Sequence, residues 1–162
     1  MIQCSVCGQG MLVAGQVEDH DISSLAGIAQ VVLVRAPALV CDRCGAATLS
    51  GEVIEGALAS LTRVIVEQRE ELGAEEVRFL RAELGMTQAR LAERLGADVG
   101  TIARWEGGAE APGRIQSLAL RSLVAWALIH KEPRLASALS ASFVREGHSR
   151  VAPPYRVELE AA

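Results

Sequence analysis

The sequence has no net positive charge, few aromatic residues and no long apolar run. Its 16 Lys and Arg residues are outnumbered by 20 Asp and Glu, giving a formal charge of −4. This balance argues against a protein that coats nucleic acid by bulk positive charge. Aromatic residues make up 3% of the 162 residues, whereas 50% are hydrophobic. A chain of this length predicts one or two domains with an ordinary core and excludes most large enzyme folds.

Membrane and secretory features are also missing from the sequence. The most apolar window, residues 118–129, contains Arg121 and is too short to span about 30 Å of hydrocarbon. The first residues lack the basic segment and apolar stretch of a secretory signal. We therefore expect a cytoplasmic protein without membrane contact. We also expect no enzyme, because there is no Ser/His/Asp set, no acid pair in a clear motif and no phosphate-binding glycine loop.

Charge is divided unevenly along the chain. Residues 1–72 carry 4 Lys and Arg against 9 Asp and Glu, whereas residues 73–162 carry 12 against 11. The acidic front half suits a basic protein partner. The second half is rich in arginine and has a single lysine, so it offers guanidinium groups for phosphates and bases. This division predicts two tasks in one chain.

All four cysteines lie in the first 44 residues, in two C-x-x-C-G motifs, Cys4-Ser5-Val6-Cys7-Gly8 and Cys41-Asp42-Arg43-Cys44-Gly45. This spacing lets both thiolates of a tight turn face one ion, and the glycine permits a positive φ with its N–H directed at sulfur. Two such motifs predict a closed, structural zinc site. The predicted ligands are Cys4, Cys7, Cys41 and Cys44.

Three other interpretations of the cysteines are weaker. A reducing cytosol disfavours disulfides, and a redox dithiol accounts for one motif but not for a matched second one. An iron centre of rubredoxin type uses the same four thiolates and is the main competitor of zinc. His20 is expected to be a solvated side chain, because four thiolates already satisfy the ion.

The rest of the front segment predicts a small antiparallel sheet and a helix. Short apolar runs at 11–13, 31–34 and 38–40 are typical of strands, and residues 18–21 form a charged loop or a strand end. We expect one sheet edge to stay free for pairing with another chain. Ser50 is the predicted N-cap of the helix.

The apolar period from Ala74 onward is helical, and glycines interrupt it at Gly85, Gly96 and residues 107–108. Thr87 and Asp98 are the predicted N-caps of the second and third helices. On the third helix, Ile102 and Trp105 share the inward face, which favours a core role for the tryptophan. Two short helices joined by a tight turn containing glycine predict a helix-turn-helix.

These residues carry a family resemblance. Residues 84–96 (LGMTQARLAERLG), 101–108 (TIARWEGG) and Pro112 resemble the XRE-type helix-turn-helix of phage repressors and Cro. With the two cysteine motifs in front, the chain up to about residue 143 resembles MqsA-type antitoxins. The resemblance implies a zinc domain that holds a toxin, often an mRNA-cleaving ribonuclease, and a dimeric helix-turn-helix domain that represses its own operon.

The start of the third helix is the predicted DNA-reading surface. Val99, Gly100 and Thr101 are expected to face outward there, with Arg104 one turn later. Arg104 is the predicted base reader, because its planar fork can bind guanine O6 and N7; the alternative is a solvated surface arginine. The resemblance implies a phosphate contact for Gln88, and Thr101 is a weaker candidate for a base or phosphate contact. At Gly100, where MqsA-type proteins can carry a base-reading asparagine, no such role is transferred, so specificity rests on Arg104, DNA shape or another residue.

Two further contacts are predicted in the helical part. The resemblance implies an ion pair between Arg81 and Glu106. The helix at 114–130 has two apolar stripes: one can close the domain, and the other can pack on the same helix of a second subunit. Such a homodimer would hold its two recognition helices about 34 Å apart. The alternative partner is the chain's own final helix, predicted at 133–143.

Together these features predict an α+β fold, with a small zinc-bound antiparallel sheet and a helix followed by an all-α helix-turn-helix domain. The predicted units are a zinc- and partner-binding domain (1–70), a DNA-binding and dimerisation domain (74–143) and a tail (144–162). Within the tail, residues 155–159 alternate like a strand that either joins a sheet edge or stays disordered.

The predicted function is that of an antitoxin whose partners are double-stranded operator DNA, a cognate toxin and a second copy of the chain. One alternative is a zinc-containing transcriptional regulator that senses metal, redox state or a small molecule. An electron carrier with an iron–tetrathiolate centre is disfavoured by the helix-turn-helix.

Overall fold

The computed structural model describes residues 2–67, 71–128 and 154–159. A mainly antiparallel sheet comes first and helices follow, which confirms the α+β class. None of the helices in these ranges combines the length and the apolar character that crossing a bilayer requires. In chain order the elements are β1 (Ile2–Gln3), β2 (Met11–Asp21), α1 (Ser23–Ala26), β3 (Val31–Cys41), β4 (Ala47–Thr48), α2 (Gly51–Glu67), α3 (Ala74–Glu83), α4 (Gln88–Leu95), α5 (Val99–Glu106), α6 (Arg114–Leu128) and β5 (Tyr155–Val157).

A long hairpin of β2 and β3 is the frame of the sheet. Each strand has 11 residues, and their antiparallel register runs from Leu12 opposite Cys41 to Asp21 opposite Val32. The three predicted short strands are therefore segments of two long ones. For residues 18–21 the strand end is correct and the loop is wrong. Glu18 lies opposite Arg35 and forms an ion pair with it at 3.4 Å. This solvent-exposed ion pair supports the pairing of the two strands.

The outer edge of β2 is paired over a short length. β1 pairs with β2 only at Met11 and Leu12, and β4 lies on the far side of β3. Among the described residues no strand covers β2 beyond Leu12. The sequence predicts a free sheet edge, and within this part of the chain β2 has one.

The C-terminal strand β5 resolves the alternatives for the tail. It pairs in parallel with the start of β3, Tyr155 opposite Val31 and Val157 opposite Leu33. The Tyr155 amide donates to the Gln30 carbonyl at 2.8 Å, and both Tyr155 and Val157 are buried. Residues 155–157 thus join a sheet edge. The Tyr155 hydroxyl also donates to the buried carboxylate of Glu76 in α3.

Helix α2 begins as predicted and does not run on into α3. The Ser50 hydroxyl accepts a hydrogen bond from the Val53 amide at 3.3 Å, which confirms the cap. Residues 71–73 are not helical, so α2 and α3 are separate helices. Leu72 in this connection is buried, and its amide donates to the Ser117 hydroxyl at 3.0 Å.

Most of the buried apolar side chains within the described residues form one continuous cluster, which does not include Cys4, Ala38 and Cys41. It includes side chains from the sheet, from α2 and from every helix of the helix-turn-helix region, and β5 closes one side of it. Its largest fully buried members are Ile22, Val31, Leu33, Leu61, Ile65, Val66, Leu72, Leu80, Leu91, Ile102 and Leu120. Since this cluster is shared, the sheet and the helices bury apolar surface against each other.

The predicted caps of the helix-turn-helix are present. The Thr87 hydroxyl accepts from the Arg90 amide at 3.2 Å, and the Asp98 carboxylate accepts from the Gly100 amide at 2.7 Å. Trp105 is 5% exposed, which confirms its place in the core.

The predicted pair between Arg81 and Glu106 is also present and largely buried. Arg81 donates Nε to Oε1 at 2.5 Å and Nη2 to Oε2 at 3.1 Å. Burial of Glu106 disfavours its charged form, but hydrogen bonds from Arg81 and Gln88 outweigh that effect and lower the pKa of this carboxyl. The two-point contact therefore joins two charged groups and fixes α3 against α5.

We expect Arg81→Ala to lower the free energy of unfolding by about 3–5 kcal/mol, because it leaves a buried carboxylate without its charged partner. The matched control is Arg90→Ala. Arg90 pairs with Glu93 through side chains that are 57% and 70% exposed, so its loss should cost less than about 1 kcal/mol. Urea unfolding followed by circular dichroism measures both. Equal and small losses would contradict a structural role for the Arg81–Glu106 pair.

Candidate metal centre and nucleic-acid interface

Two tight turns hold the cysteines, one before β2 and one at the end of β3. Gly8 and Gly45 have φ of +65° and +72°, as the C-x-x-C-G motifs predict. Their amides donate to the carbonyls of Cys4 at 2.9 Å and Cys41 at 3.1 Å. The prediction that these glycine amides donate to sulfur is therefore wrong. A left-handed residue closes the turn, and closure directs its N–H to the carbonyl of the first cysteine.

The four sulfur atoms converge on one point. Those of Cys4, Cys7, Cys41 and Cys44 all lie within 4.8 Å of one another. Cys4 and Cys44 are 3.8 Å apart at sulfur, as are Cys7 and Cys41. Four thiolates at about 2.3 Å from one zinc ion, placed tetrahedrally, lie roughly 3.8 Å from each other. Disulfides, at about 2.05 Å between sulfurs, are absent and all four thiols are free. The cysteines are thus positioned to bind a metal ion.

Backbone amides favour the thiolate at two of these positions. Amides of Gln9 and Gly10 lower the pKa of Cys7 to about 6. The Gly10 amide lies 3.4 Å from this sulfur. The pKa of Cys41 is lowered by two amides of its own motif, which donate to its sulfur at 3.4 and 3.5 Å. Such donors are typical of the surroundings of metal-bound thiolates.

Cys44 shows that four adjacent thiols do not readily all ionise without a cation. The Ala46 amide favours its thiolate, but its interactions with the neighbouring thiols, Cys41 foremost, and burial outweigh this and raise its pKa to about 12. A third or fourth thiolate would lie beside sulfur atoms that are already negative, and the repulsion between them opposes its ionisation. A bound cation removes this repulsion, since metal coordination deprotonates thiols.

Two residues of this centre were missed by the sequence analysis. A Cβ at Gly10 would lie 2.4 Å from the Cys41 sulfur, so only glycine fits there. The Asp42 carboxylate accepts from the Met11 amide at 2.9 Å and joins the second turn to β2. Gly10 follows Gly8 at a spacing of two, a weak signal in the sequence. His20, opposite Leu33 at the other end of the hairpin, is distant from the cysteines.

Helix α5 presents the predicted DNA-reading residues on its outward face. Val99 is 45% exposed, Thr101 is partly exposed and the Arg104 side chain is 49% exposed. The Arg104 Nη2 donates to the Thr101 hydroxyl at 2.9 Å. A Cβ at Gly100 would lie 3.5 Å from Arg104 Nη1, so the guanidinium rests beside the position that lacks a side chain.

Glu110 is a neighbour of Arg104 that the sequence analysis did not single out. Its carboxylate lies 3.0 Å from Arg104 Nε in a half-exposed ion pair. Glu110 follows α5 in a turn, where no helical period marks a contact in advance. The only sequence signal is an acid six residues after an arginine, which is common by chance.

Gln88 occupies the first turn of α4 and is partly buried. Its Nε2 donates to Glu106 Oε2 at 2.8 Å. The structure therefore places Gln88 in the network of the Arg81–Glu106 pair, whereas Thr101 and Arg104 lie together on α5. The predicted DNA-contacting residues thus fall into one touching pair and one separate residue.

Residues 77–114 match a family described as helix-turn-helix. The match runs from α3 through α4 and α5 to the first residue of α6. A comparison with curated proteins finds no match. The matched family consists of DNA-binding regulators and not of enzymes. Residues 77–114 are therefore an XRE-type helix-turn-helix, and the chain joins it to four cysteines positioned to hold a metal ion.

Proposed function

We propose that this chain is the antitoxin of a type II toxin–antitoxin system. In this proposal the helix-turn-helix represses the chain's own operon and the front sheet holds the toxin. The observation that carries it is the joining of an XRE-type helix-turn-helix, with Arg104 exposed on α5, to a four-cysteine sheet with a free strand edge. The resemblance to MqsA-type antitoxins supports the same assignment.

For DNA binding, α5 is the proposed recognition helix. Thr101 and Arg104 lie on its outward face and would enter the major groove, with Arg104 reading a guanine. Gln88 has a second amide hydrogen besides the one given to Glu106, and this hydrogen is available for a phosphate oxygen. The proposed contacts thus combine a base reader, Arg104, with a phosphate contact at Gln88 and a base or phosphate contact at Thr101.

A homodimer is proposed through the outward face of α6. Ile115 is 79% and Trp126 71% exposed, and both belong to one of the two predicted apolar stripes of this helix, whereas Leu120 and Val124 of the other stripe are buried. Apolar side chains of this size on one face favour contact with another protein surface. The same helix of a second copy would cover them with two-fold symmetry. The competing final helix at 133–143 lies outside the described residues.

For the metal we propose structural zinc. Four thiolates leave no open coordination position, which suits a structural ion and not a catalytic one. Zinc would hold the two turns together at the end of the hairpin, which contributes no residue to the main buried apolar cluster. In this way the ion stabilises the sheet that presents the proposed toxin-binding edge.

The toxin-binding role rests on charge and on the free edge of β2. The front segment is acidic, and Glu18 is exposed on β2. Unpaired backbone groups along the edge of β2 can accept a strand from another chain. A small basic toxin fits both properties.

A second candidate is a transcriptional regulator whose front domain senses metal or redox state. Cys7 favours it, because this thiol is partly exposed and its pKa is lowered to about 6, and an accessible thiolate reacts with metal ions and oxidants. In this case the cysteine cluster would change the DNA affinity of the helix-turn-helix without any toxin.

We expect the purified chain to be colourless and to contain one zinc ion, whereas iron would give a red protein. Gly10→Ala should lose most of the metal, because its Cβ would lie 2.4 Å from the Cys41 sulfur. Gly51→Ala is the matched control, since nothing lies within 4 Å of a Cβ there. Mass spectrometry of bound metals measures the ratio of zinc to protein. Equal zinc in both variants would contradict the proposed site.

We expect Arg104→Ala to lose operator preference while retaining part of the salt-dependent binding to any duplex. The probe is DNA from upstream of the chain's own gene, compared with a scrambled duplex. The preference should fall by about fivefold or more, since one bidentate contact to guanine discriminates by about 1–3 kcal/mol. Arg35→Ala, which removes an exposed arginine from β3, is the control and should keep the preference. An unchanged preference in Arg104→Ala would refute its base-reading role.

We expect the product of the adjacent gene to stop growth when expressed alone, and co-expression of this chain to restore growth. Arg104→Ala should still restore it, because toxin binding is assigned to the front sheet. Cys4→Ser should not, because it removes a metal ligand from that sheet. Growth and co-purification measure the outcome. A harmless neighbour that does not co-purify would reject the antitoxin role and leave the regulator.

A further inference from the structure

The guanidinium of Arg104 is held on two sides before any DNA is present. Its Nε faces the Glu110 carboxylate at 3.0 Å, and its Nη2 donates to the Thr101 hydroxyl at 2.9 Å. Beside Nη1 lies Gly100, which offers no side chain to compete for the space. Arginine has five N–H donors. One of them, on Nη2, is donated to Thr101, and Nε faces Glu110 in an ion pair. Within the described residues no hydrogen bond uses the two N–H groups on Nη1 or the second one on Nη2, so this edge of the guanidinium remains available at the outward face of α5.

We propose that Glu110 is a positioning residue that sets the base specificity of Arg104. This inference rests on the proposed DNA-binding function. By holding Nε, Glu110 limits the rotamers of a long side chain and presents the free edge of the guanidinium to the groove. Preorganisation of this kind reduces the ordering cost of a bidentate contact to guanine.

Glu110 also affects binding to the wrong sequences. Because Glu110 neutralises much of its charge, Arg104 attracts DNA phosphates only weakly. Phosphates occur at every sequence, so this attraction carries no sequence preference. The remaining N–H groups can still donate to guanine, because that contact depends on hydrogen-bond geometry. The ion pair therefore weakens sequence-independent binding and leaves base recognition in place.

The exposure of the pair agrees with a role in recognition more than in folding. The Arg104 and Glu110 side chains are 49% and 53% exposed, and exposed pairs contribute little to stability. The buried Arg81–Glu106 pair already fixes α5 from its inner side. Glu110 instead lies against the outward arginine that the proposed function assigns to the bases.

The test compares Glu110→Gln with Glu55→Gln, an equal charge change at an exposed position on α2. Both are made in the wild-type chain and in Arg104→Ala. The DNA probes are a duplex selected by the wild type from a randomised library and a mixed-sequence duplex. Glu110→Gln should bind the mixed duplex about twofold to fivefold more tightly, with a salt slope steeper by about 0.9. Its preference for the selected duplex should fall by a similar factor, and Glu55→Gln should match the wild type.

The decisive result is the preference measured in the Arg104→Ala background. If Glu110 acts through Arg104, Glu110→Gln should no longer change the preference there. A preference that Glu110→Gln leaves unchanged in the wild-type chain, or lowers equally in both backgrounds, would overturn the inference while DNA binding stands. A wild-type chain that selects no duplex would overturn the inference and the DNA-binding proposal together. A circular dichroism melt unchanged from wild type shows that Glu110→Gln is folded.

Discussion

The buried carboxylate of Glu106 is the contact on which the helical part depends. A charge that is 5% exposed is tolerated only if other groups satisfy it. Arg81 of α3 and Gln88 of α4 both donate to it, and Arg78 donates to the Glu106 carbonyl at 2.6 Å. Three helices are therefore fixed around one residue of α5. The outward direction of Arg104 follows from this inner anchor, because α5 cannot rotate without exposing or unpairing Glu106.

A comparable constraint applies at the other end of the molecule, where four thiols converge. Their proximity makes full ionisation unfavourable without a cation, so metal binding and the shape of the turns depend on each other. Strand β3 connects this end to the helices. It begins at Val31, next to β5, and ends at Cys41. In an extended strand of this length these two residues are about 33 Å apart. From β5, the Tyr155 hydroxyl donates to Glu76 of α3. The two functional regions are thus joined by continuous hydrogen-bonded and buried contacts.

Local signals explain what the sequence could predict. The caps Thr87 and Asp98 and the boundaries of α4 follow from residues next to one another in the chain, and the structure has them where they were predicted. The cysteine cluster was predictable because each half is a four-residue motif. The full length of β2 was not, since the exposed residues 14–16 give no apolar alternation and are held in the strand by pairing with β3.

Contacts between distant residues were beyond the sequence. Tyr155 and Glu76 are 79 positions apart, and the alternation at 155–159 could not identify β3 as the partner or parallel as the direction. The ion pair of Arg104 with Glu110 depends on the path of an irregular turn. Gly10 beside the Cys41 sulfur depends on how two remote turns meet. In each case the chain must be folded before the contact exists.

The pairing of β5 with β3 has a consequence for biosynthesis. Val31 leaves the ribosome long before Tyr155. The edge of β3 that β5 later pairs with therefore stays unpaired while the helices are made. Parallel pairing over such a separation is slow, because a large loop must close first. During that interval the newly made chain exposes backbone groups on both sides of its hairpin. Another strand-bearing protein encountered then could occupy the position that β5 takes in the finished fold.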